Sequence, residues 1–137
     1  MSEAYTGGCA CGAIRYEIEG EPIVMNDCQC RDCQRKSGTG HGSYLTFPRN
    51  GVKLEGEAAR WDIIGDSGNV KTRAFCPTCG SPVYMTFAAM PDVFTVHAAS
   101  LDDPRRYQPQ MVTYSMRGHA WDHLDPTVPK FETMPPG

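Results

Sequence analysis

The sequence predicts a mainly β protein, a sandwich, barrel or tent with one short helical segment, and three observations carry that expectation. Short runs of strand-forming residues, bounded by turn residues, recur at close spacing through most of the chain. Gly (14) and Pro (11) are abundant for 137 residues, which fits many short elements joined by turns. Seven cysteines fall into three tight clusters, where metal can tie distant strands together.

The elements follow in order. Residues 13–19 alternate apolar and polar, the pattern of a half-buried strand, and Gly20-Glu21-Pro22 ends it. Residues 23–25 are a short apolar run leading into the triplet Cys28-Gln29-Cys30-Arg31-Asp32-Cys33. Residues 29–37 are polar and lack Gly and Pro, so they read as one or two helical turns stopped by Gly38. Strands are expected over residues 43–47, 52–54, 59–64, 70–75, 82–87 and 93–99. The tail, residues 124–137, holds four prolines and is expected to run extended, pinned to the body by Trp121 and Phe131.

Composition narrows the function. The chain is 40% hydrophobic and 21% charged, with a net charge of −3, and no Lys/Arg run marks a nucleic-acid surface. Its apolar runs are far shorter than a membrane span, and Met1 to Tyr5 lack the layout of a signal peptide. A single domain over residues 1–137 in a reducing cytosol is expected; nothing in the sequence sets an oligomeric state. There, clustered cysteines serve metal or catalysis more often than disulfides, and an odd number cannot pair completely.

The cysteines divide as four plus three. In Cys76-Pro77-Thr78-Cys79-Gly80 a tight turn can place two sulfurs on one metal, and the glycine permits positive φ so that backbone N–H groups turn toward them. Cys9-Ala10-Cys11-Gly12 is a tighter version. Together they offer four ligands for a structural zinc, with a redox Cys-x-x-Cys pair or idle thiols as the alternatives. Cys28, Cys30 and Cys33 would leave one position open on a second zinc. Alternatively His41, His97, His119 or His123 closes that site, or the thiols carry no metal. Single iron is a further option for a four-sulfur site.

Arg31, Arg35 and Lys36 lie near enough in sequence to offset the negative charge of three thiolates on a dication. Arg31 and Arg35, four apart, would share a helix face and suit a substrate carboxylate, or form a solvated face. A thiolate-rich zinc is a poor generator of hydroxide but accepts a further thiol, whose pKa falls on binding. A small thiol or its adduct is therefore the expected substrate, and carbon–sulfur bond making or breaking the expected reaction. His41, His119 and His123 are the shortlist for acid/base work. Tyr44 and Trp121 are expected in core or docking roles, with pocket lining as the alternative.

At this point the motifs resemble a known family. Residues 7–16 (Gly-Gly-Cys-Ala-Cys-Gly-Ala-Ile-Arg-Tyr), residues 28–38 (Cys-Gln-Cys-Arg-Asp-Cys-Gln-Arg-Lys-Ser-Gly) and residues 75–80 (Phe-Cys-Pro-Thr-Cys-Gly) resemble, in order, the three motifs of the glutathione-dependent formaldehyde-activating enzymes. That family also contains centromere protein V, and Trp121 with residues 124–131 resembles its ending. The resemblance implies a β-tent of packed antiparallel sheets. It implies two zincs per chain, a structural one on Cys9, Cys11, Cys76 and Cys79 and a substrate-meeting one on Cys28, Cys30 and Cys33. It implies formation of S-(hydroxymethyl)glutathione or a related carbon–sulfur lyase reaction, with glutathione as the small-molecule partner. Gln29 stands where the family often has histidine, so a proton carrier is not available at that position. A non-catalytic zinc-stapled binding module, or a labile-zinc or thiol-sensing protein, is the rival class.

Overall fold

The computed structural model describes residues 3–65 and 67–135, and among these the chain forms ten strands and one α-helix. The strands are β1 (Tyr5–Gly8), β2 (Arg15–Ile18), β3 (Val24–Cys28), β4 (Gly42–Pro48), β5 (Val52–Glu55), β6 (Ala59–Ile64), β7 (Val70–Phe75), β8 (Pro82–Phe87), β9 (Met90–His97) and β10 (Met111–Thr113). The helix α1 spans Arg31–Ser37. A three-stranded sheet has the order β1-β2-β5, and a seven-stranded sheet has the order β10-β3-β4-β9-β8-β7-β6.

Period-two alternation sorts the side chains into two layers. Tyr5, Ile14, Tyr16 and Ile18 pack against Leu45, Phe47, Val83, Tyr84, Phe94 and Val96, which forms the main core between the sheets. Tyr5 meets Phe47 edge-on at 5.0 Å, and Tyr84 stacks on Phe94 at 4.7 Å. Tyr44, one residue out of phase with Leu45 and Phe47, belongs to a second cluster with Met85 and the triplet cysteines. One sheet thus carries an apolar core on one face and the sulfur triplet on the other.

The mainly β expectation and the six strands from residue 43 onward hold, with shifted ends. Residues 93–99 become β9, which starts earlier at Met90 and stops at His97, with a single 3-10 turn over Ala98–Ser100. The strand expected over residues 13–19 contracts to β2. The run at residues 23–25 extends through polar Asn26 and Asp27. Asn26 Nδ2 donates to Thr113 Oγ1 at 3.0 Å, and Asp27 Oδ1 accepts from Ser43 Oγ and Tyr107 OH, each at 2.7 Å.

β1 and β10 were not expected from the sequence. In β1 a Cβ at Gly7 would lie 2.3 Å from the Ser100 carbonyl oxygen, so a close backbone approach requires glycine there. β10 runs parallel to β3, with Thr113 opposite Cys28, so the large sheet is mixed and not wholly antiparallel.

The tail is pinned by backbone and only half as expected. Val112 N–H donates to Pro129 at 2.9 Å and Phe131 N–H to Val112 at 2.8 Å. Trp121 does not pin it: that ring is 60% exposed and stacks on His119 at 4.9 Å. Pro136 and Gly137, and Met1 and Ser2 of the N-terminal reading, lie outside the described residues. No described helix is long and apolar enough to cross a membrane.

Antiparallel pairing brings the chemistry to one end of the large sheet. β3 ends at Cys28, β4 begins at Gly42 beside it, β9 ends at His97, β8 begins at Pro82 and β7 runs into Cys76.

Candidate metal centres and the cleft beside them

Cys9, Cys11, Cys76 and Cys79 converge, with all four sulfurs within 4.8 Å of one another. Cys9 to Cys11 and Cys11 to Cys76 are each 3.7 Å. Four sulfurs at about 2.3 Å from a tetrahedral zinc would stand about 3.8 Å apart, so these two spacings and the convergence of all four sulfurs suit that ion. The turns do what their glycines allow: Gly12 has φ 83° and Gly80 φ 79°. Backbone N–H groups then point at sulfur, from Ile14 to Cys9 (3.3 Å) and from Thr78 and Cys79 to Cys76 (3.4 and 3.5 Å). Ser81 links the two turns, its Oγ accepting from Ala10 N–H at 3.2 Å and lying 3.3 Å from Cys79 Sγ.

The thiols compete for protons. The Ser81 hydroxyl and backbone N–H groups bring Cys79 down to about 5. Cys11 is pushed up to about 11, since its hydrogen bonds with Cys76 and Cys9 outweigh the pull of the Ala13 N–H.

Cys28, Cys30 and Cys33 also converge within 4.8 Å, and no fourth His, Cys, Asp or Glu among the described residues joins them. Cys28 closes β3, Cys30 caps α1 by accepting the Cys33 N–H at 3.4 Å, and Cys33 lies in the first helical turn. Gly38 ends the helix at φ 79°, as expected from the sequence. The three cysteines are buried, at 8, 3 and 1% exposure respectively. Hydrogen bonds from the Cys30 and Cys33 sulfurs hold Cys28 far above the ordinary thiol range, and hydrogen bonds from Cys28 and Cys30 hold Cys33 far below it.

The buried cations at this triplet come from β7 and were missed in the sequence. Arg73 Nη2 lies 3.4 Å from Cys33 Sγ and 3.4 Å from Tyr44 OH. Arg73 Nε and Nη2 are each 2.7 Å from Asp32 Oδ2, and Lys71 Nζ is 2.9 Å from the same oxygen. Burial pushes the Asp32 carboxyl up, but hydrogen bonds from Arg73 and Lys71 outweigh it and hold the group below its usual value. Burial disfavours charged Lys71, yet the sulfurs of Cys33 and Cys30 raise it on balance. Arg73 Nη1 is buried without a hydrogen-bond partner, an unsatisfied donor that adds to the positive potential here. Lys71 and Arg73 are thus buried cations beside the triplet, in addition to Arg31, Arg35 and Lys36 on α1. Two cations two residues apart on one strand were the available signal.

A cleft of about 730 Å³ is lined by Cys9, Ser81, Lys36, His41 and Ser43, with Cys9 its one cysteine and none of the triplet on its wall. His97 also lines it; burial brings this imidazole down to about 4, so it is neutral, and it meets Tyr44 edge-on at 5.0 Å. Tyr44 itself is buried within the triplet cluster. His119 Nε2 lies 2.9 Å from Gln34 Oε1, and His119 and His123 line a smaller cleft of about 490 Å³. Gln29 is buried and donates from Nε2 to Asp122 Oδ2 at 3.1 Å. Arg31 and Arg35 are exposed on α1, with Arg31 Nη1 bonded to Gln34 Oε1.

Comparison with known proteins agrees with this fold. A solved structure of a Rhodobacter sphaeroides protein has a similar fold, at TM-score 0.58 and 19% identity, covering 92% of this chain and 99% of that one. The family model described as glutathione-dependent formaldehyde-activating enzyme matches residues 4–117, a segment that includes all seven cysteines. The chain belongs to the glutathione-dependent formaldehyde-activating enzyme family.

Proposed function

We propose that this protein is a zinc-dependent carbon–sulfur lyase or synthase acting on a small thiol or its adduct, with glutathione and formaldehyde as the favoured pair. The observation that carries this reading is the triplet: three sulfurs directed at one point with no fourth protein donor among the described residues. Cys28, Cys30 and Cys33 would hold the second zinc, and Cys9, Cys11, Cys76 and Cys79 the structural one. Zinc on three thiolates supplies a place for one more sulfur and lowers the pKa of the thiol that takes it.

The chain's own residues bind and orient. A cleft of about 730 Å³ is the size of a small-molecule site. Lys36 lines it and offers a cation to a substrate carboxylate, while Arg31 and Arg35 stand on the exposed face of the same helix, where they can assist. Lys36→Ala is expected to raise KM roughly tenfold, about 1.4 kcal/mol, with kcat little changed. Arg31→Ala and Arg35→Ala are expected to act less. Steady-state kinetics on the three variants checks the order.

Burial of all three triplet sulfurs favours a second reading, a metal-stapled module without chemistry. Metal content and turnover decide between them. Elemental analysis is expected to give two zincs per chain, one of them removed by chelator with the circular dichroism spectrum intact. The zinc-replete protein is expected to form or cleave S-(hydroxymethyl)glutathione. One tightly held zinc, with no turnover across a panel of thiol adducts, overturns the enzyme reading. The cytosol is the setting proposed for such thiol metabolism.

A further inference from the structure

We propose that this chain forms a two-fold symmetric homodimer by antiparallel pairing of β6 with β6 of a second copy, centred on Trp61. Dimerisation of this kind is independent of the lyase chemistry and is tested without substrate.

β6 is the outer strand of the seven-stranded sheet, so one side of it pairs with β7 and the other pairs with no strand among the described residues. Such an edge presents backbone N–H and C=O groups to any strand that can add to it. The opposite edge of the same sheet is occupied: β10 is bridged by Lys130, and Val112 exchanges backbone hydrogen bonds with Pro129 and Phe131. In the small sheet β1 is bridged by Leu101. β6 also lacks the devices that blunt an edge. Its six residues contain no proline and stay in register with β7 from Ala59 to Ile64, whereas the β7–β8 and β8–β9 pairings both shift register.

Two large apolar side chains of β6 are left in water, Trp61 at 55% exposure and Ile64 at 69%. Trp61 sits opposite Arg73, and Lys36 Nζ stands 5.9 Å from its ring, so it lies on the face that carries the triplet. Alternation puts Ala59 and Ile63 on that face with it, and Arg60, Asp62 and Ile64 on the other.

Symmetry selects the register. A two-fold axis between antiparallel copies of one strand sets one residue opposite itself. Two registers keep five of the six residues paired. Centred on Asp62, the two carboxylates face each other and Arg60 faces Ile64, a like-charge clash. Centred on Trp61, Arg60 faces Asp62 of the second copy, twice by symmetry, Ala59 faces Ile63, and the two indole rings meet. Every pair is then matched in character. Asp62 Oδ1 accepts from Thr72 Oγ1 at 2.7 Å, which holds the carboxylate in place and leaves its second oxygen for the incoming guanidinium. β5, the other edge of the small sheet, can match Lys53 with Glu55 in the same way, but it has only four residues and its Lys53 Nζ is already 4.0 Å from Glu17. One strand from each copy makes a small interface, so the dimer is expected to have a micromolar dissociation constant.

The test is the mass of the full chain in solution. Sedimentation velocity over a concentration series is expected to show twice the 15.1 kDa chain mass at the high end and the single mass on dilution. Arg60→Asp and Asp62→Arg, each alone, set like charges opposite one another and are expected to raise the dissociation constant roughly 10–100-fold. An equimolar mixture of the two is expected to dimerise again, since the acidic edge of one meets the basic edge of the other, a rescue that a folding defect would not allow. Trp61→Lys, which keeps both charges, is expected to weaken the dimer as well, and Leu54→Lys on β5 to leave it intact. A wild type that stays monomeric at the top of the series, a mixture that stays monomeric, or a dimer lost in Leu54→Lys and kept in the β6 variants overturns the proposal.

Discussion

Cys76→Ser is expected to leave the chain unfolded, while Cys30→Ser is expected to give a folded chain that has lost one zinc and its turnover. Cys76 is fully buried, its sulfur is 3.7 Å from Cys11, and it joins the end of β7 to a turn 65 residues earlier. A structural zinc is worth about 10–16 kcal/mol of folding free energy near neutral pH, and a whole domain has only about 5–15. Losing that ligand therefore removes as much as the domain has to spare. Cys30 is different. Its local task is to cap α1, and serine is itself a preferred N-cap, so the helix survives the exchange. Its second task, as one of three sulfurs, is lost. Circular dichroism and elemental analysis on the two variants check the contrast. If both unfold, or both fold with unchanged zinc, the four-plus-three division is wrong.

The contrast rests on features that were legible before any coordinates. Cys76 and Cys79 with Gly80, and Cys30 with Gly38, are local signals, because turn geometry and helix ends are set by neighbours in sequence. Strand periodicity is local too, and β6, β7 and β8 fall where alternation and turn residues put them. What was not legible is non-local. Gly7 sits in a strand because the Ser100 backbone packs against it, a contact 93 residues away. β10 is three residues long and forms because β3 offers a parallel edge. Nothing near Asp122 in sequence announces its 2.9 Å contact with His41, 81 residues away. Arg31 and Arg35 lie near the triplet cysteines in sequence. Yet the cation that touches sulfur is Arg73, 40 residues away, delivered by sheet order.

That cation leads to the second large effect. Arg73→Met is expected to cost about 3–5 kcal/mol of stability, the usual consequence of removing one partner from a buried ion pair. Arg73 is 3% exposed and spans Asp32, Cys33 and Tyr44, so methionine fills much of the space but leaves Asp32 with Lys71 alone. The triplet loses more than stability. With three thiolates around a dication the site carries one net negative charge; Lys71, Arg73 and Asp32 together add one positive charge and cancel it. Without Arg73 the balance turns negative, and Cys33 loses an N–H donor to its sulfur. Zinc at the triplet should then leave faster in chelator competition, while zinc at the Cys76 cluster is unaffected. Asp32→Asn added to Arg73→Met separates the two effects. It removes the uncompensated carboxylate, so part of the lost stability should return in denaturant titrations, a coupling that the double-mutant cycle measures. Zinc retention at the triplet should recover less, since the hydrogen bond to Cys33 is still missing. An Arg73→Met chain that melts like wild type and keeps both zincs would mean that the sulfurs need no cation behind them, and that Arg73 only fills space against Tyr44.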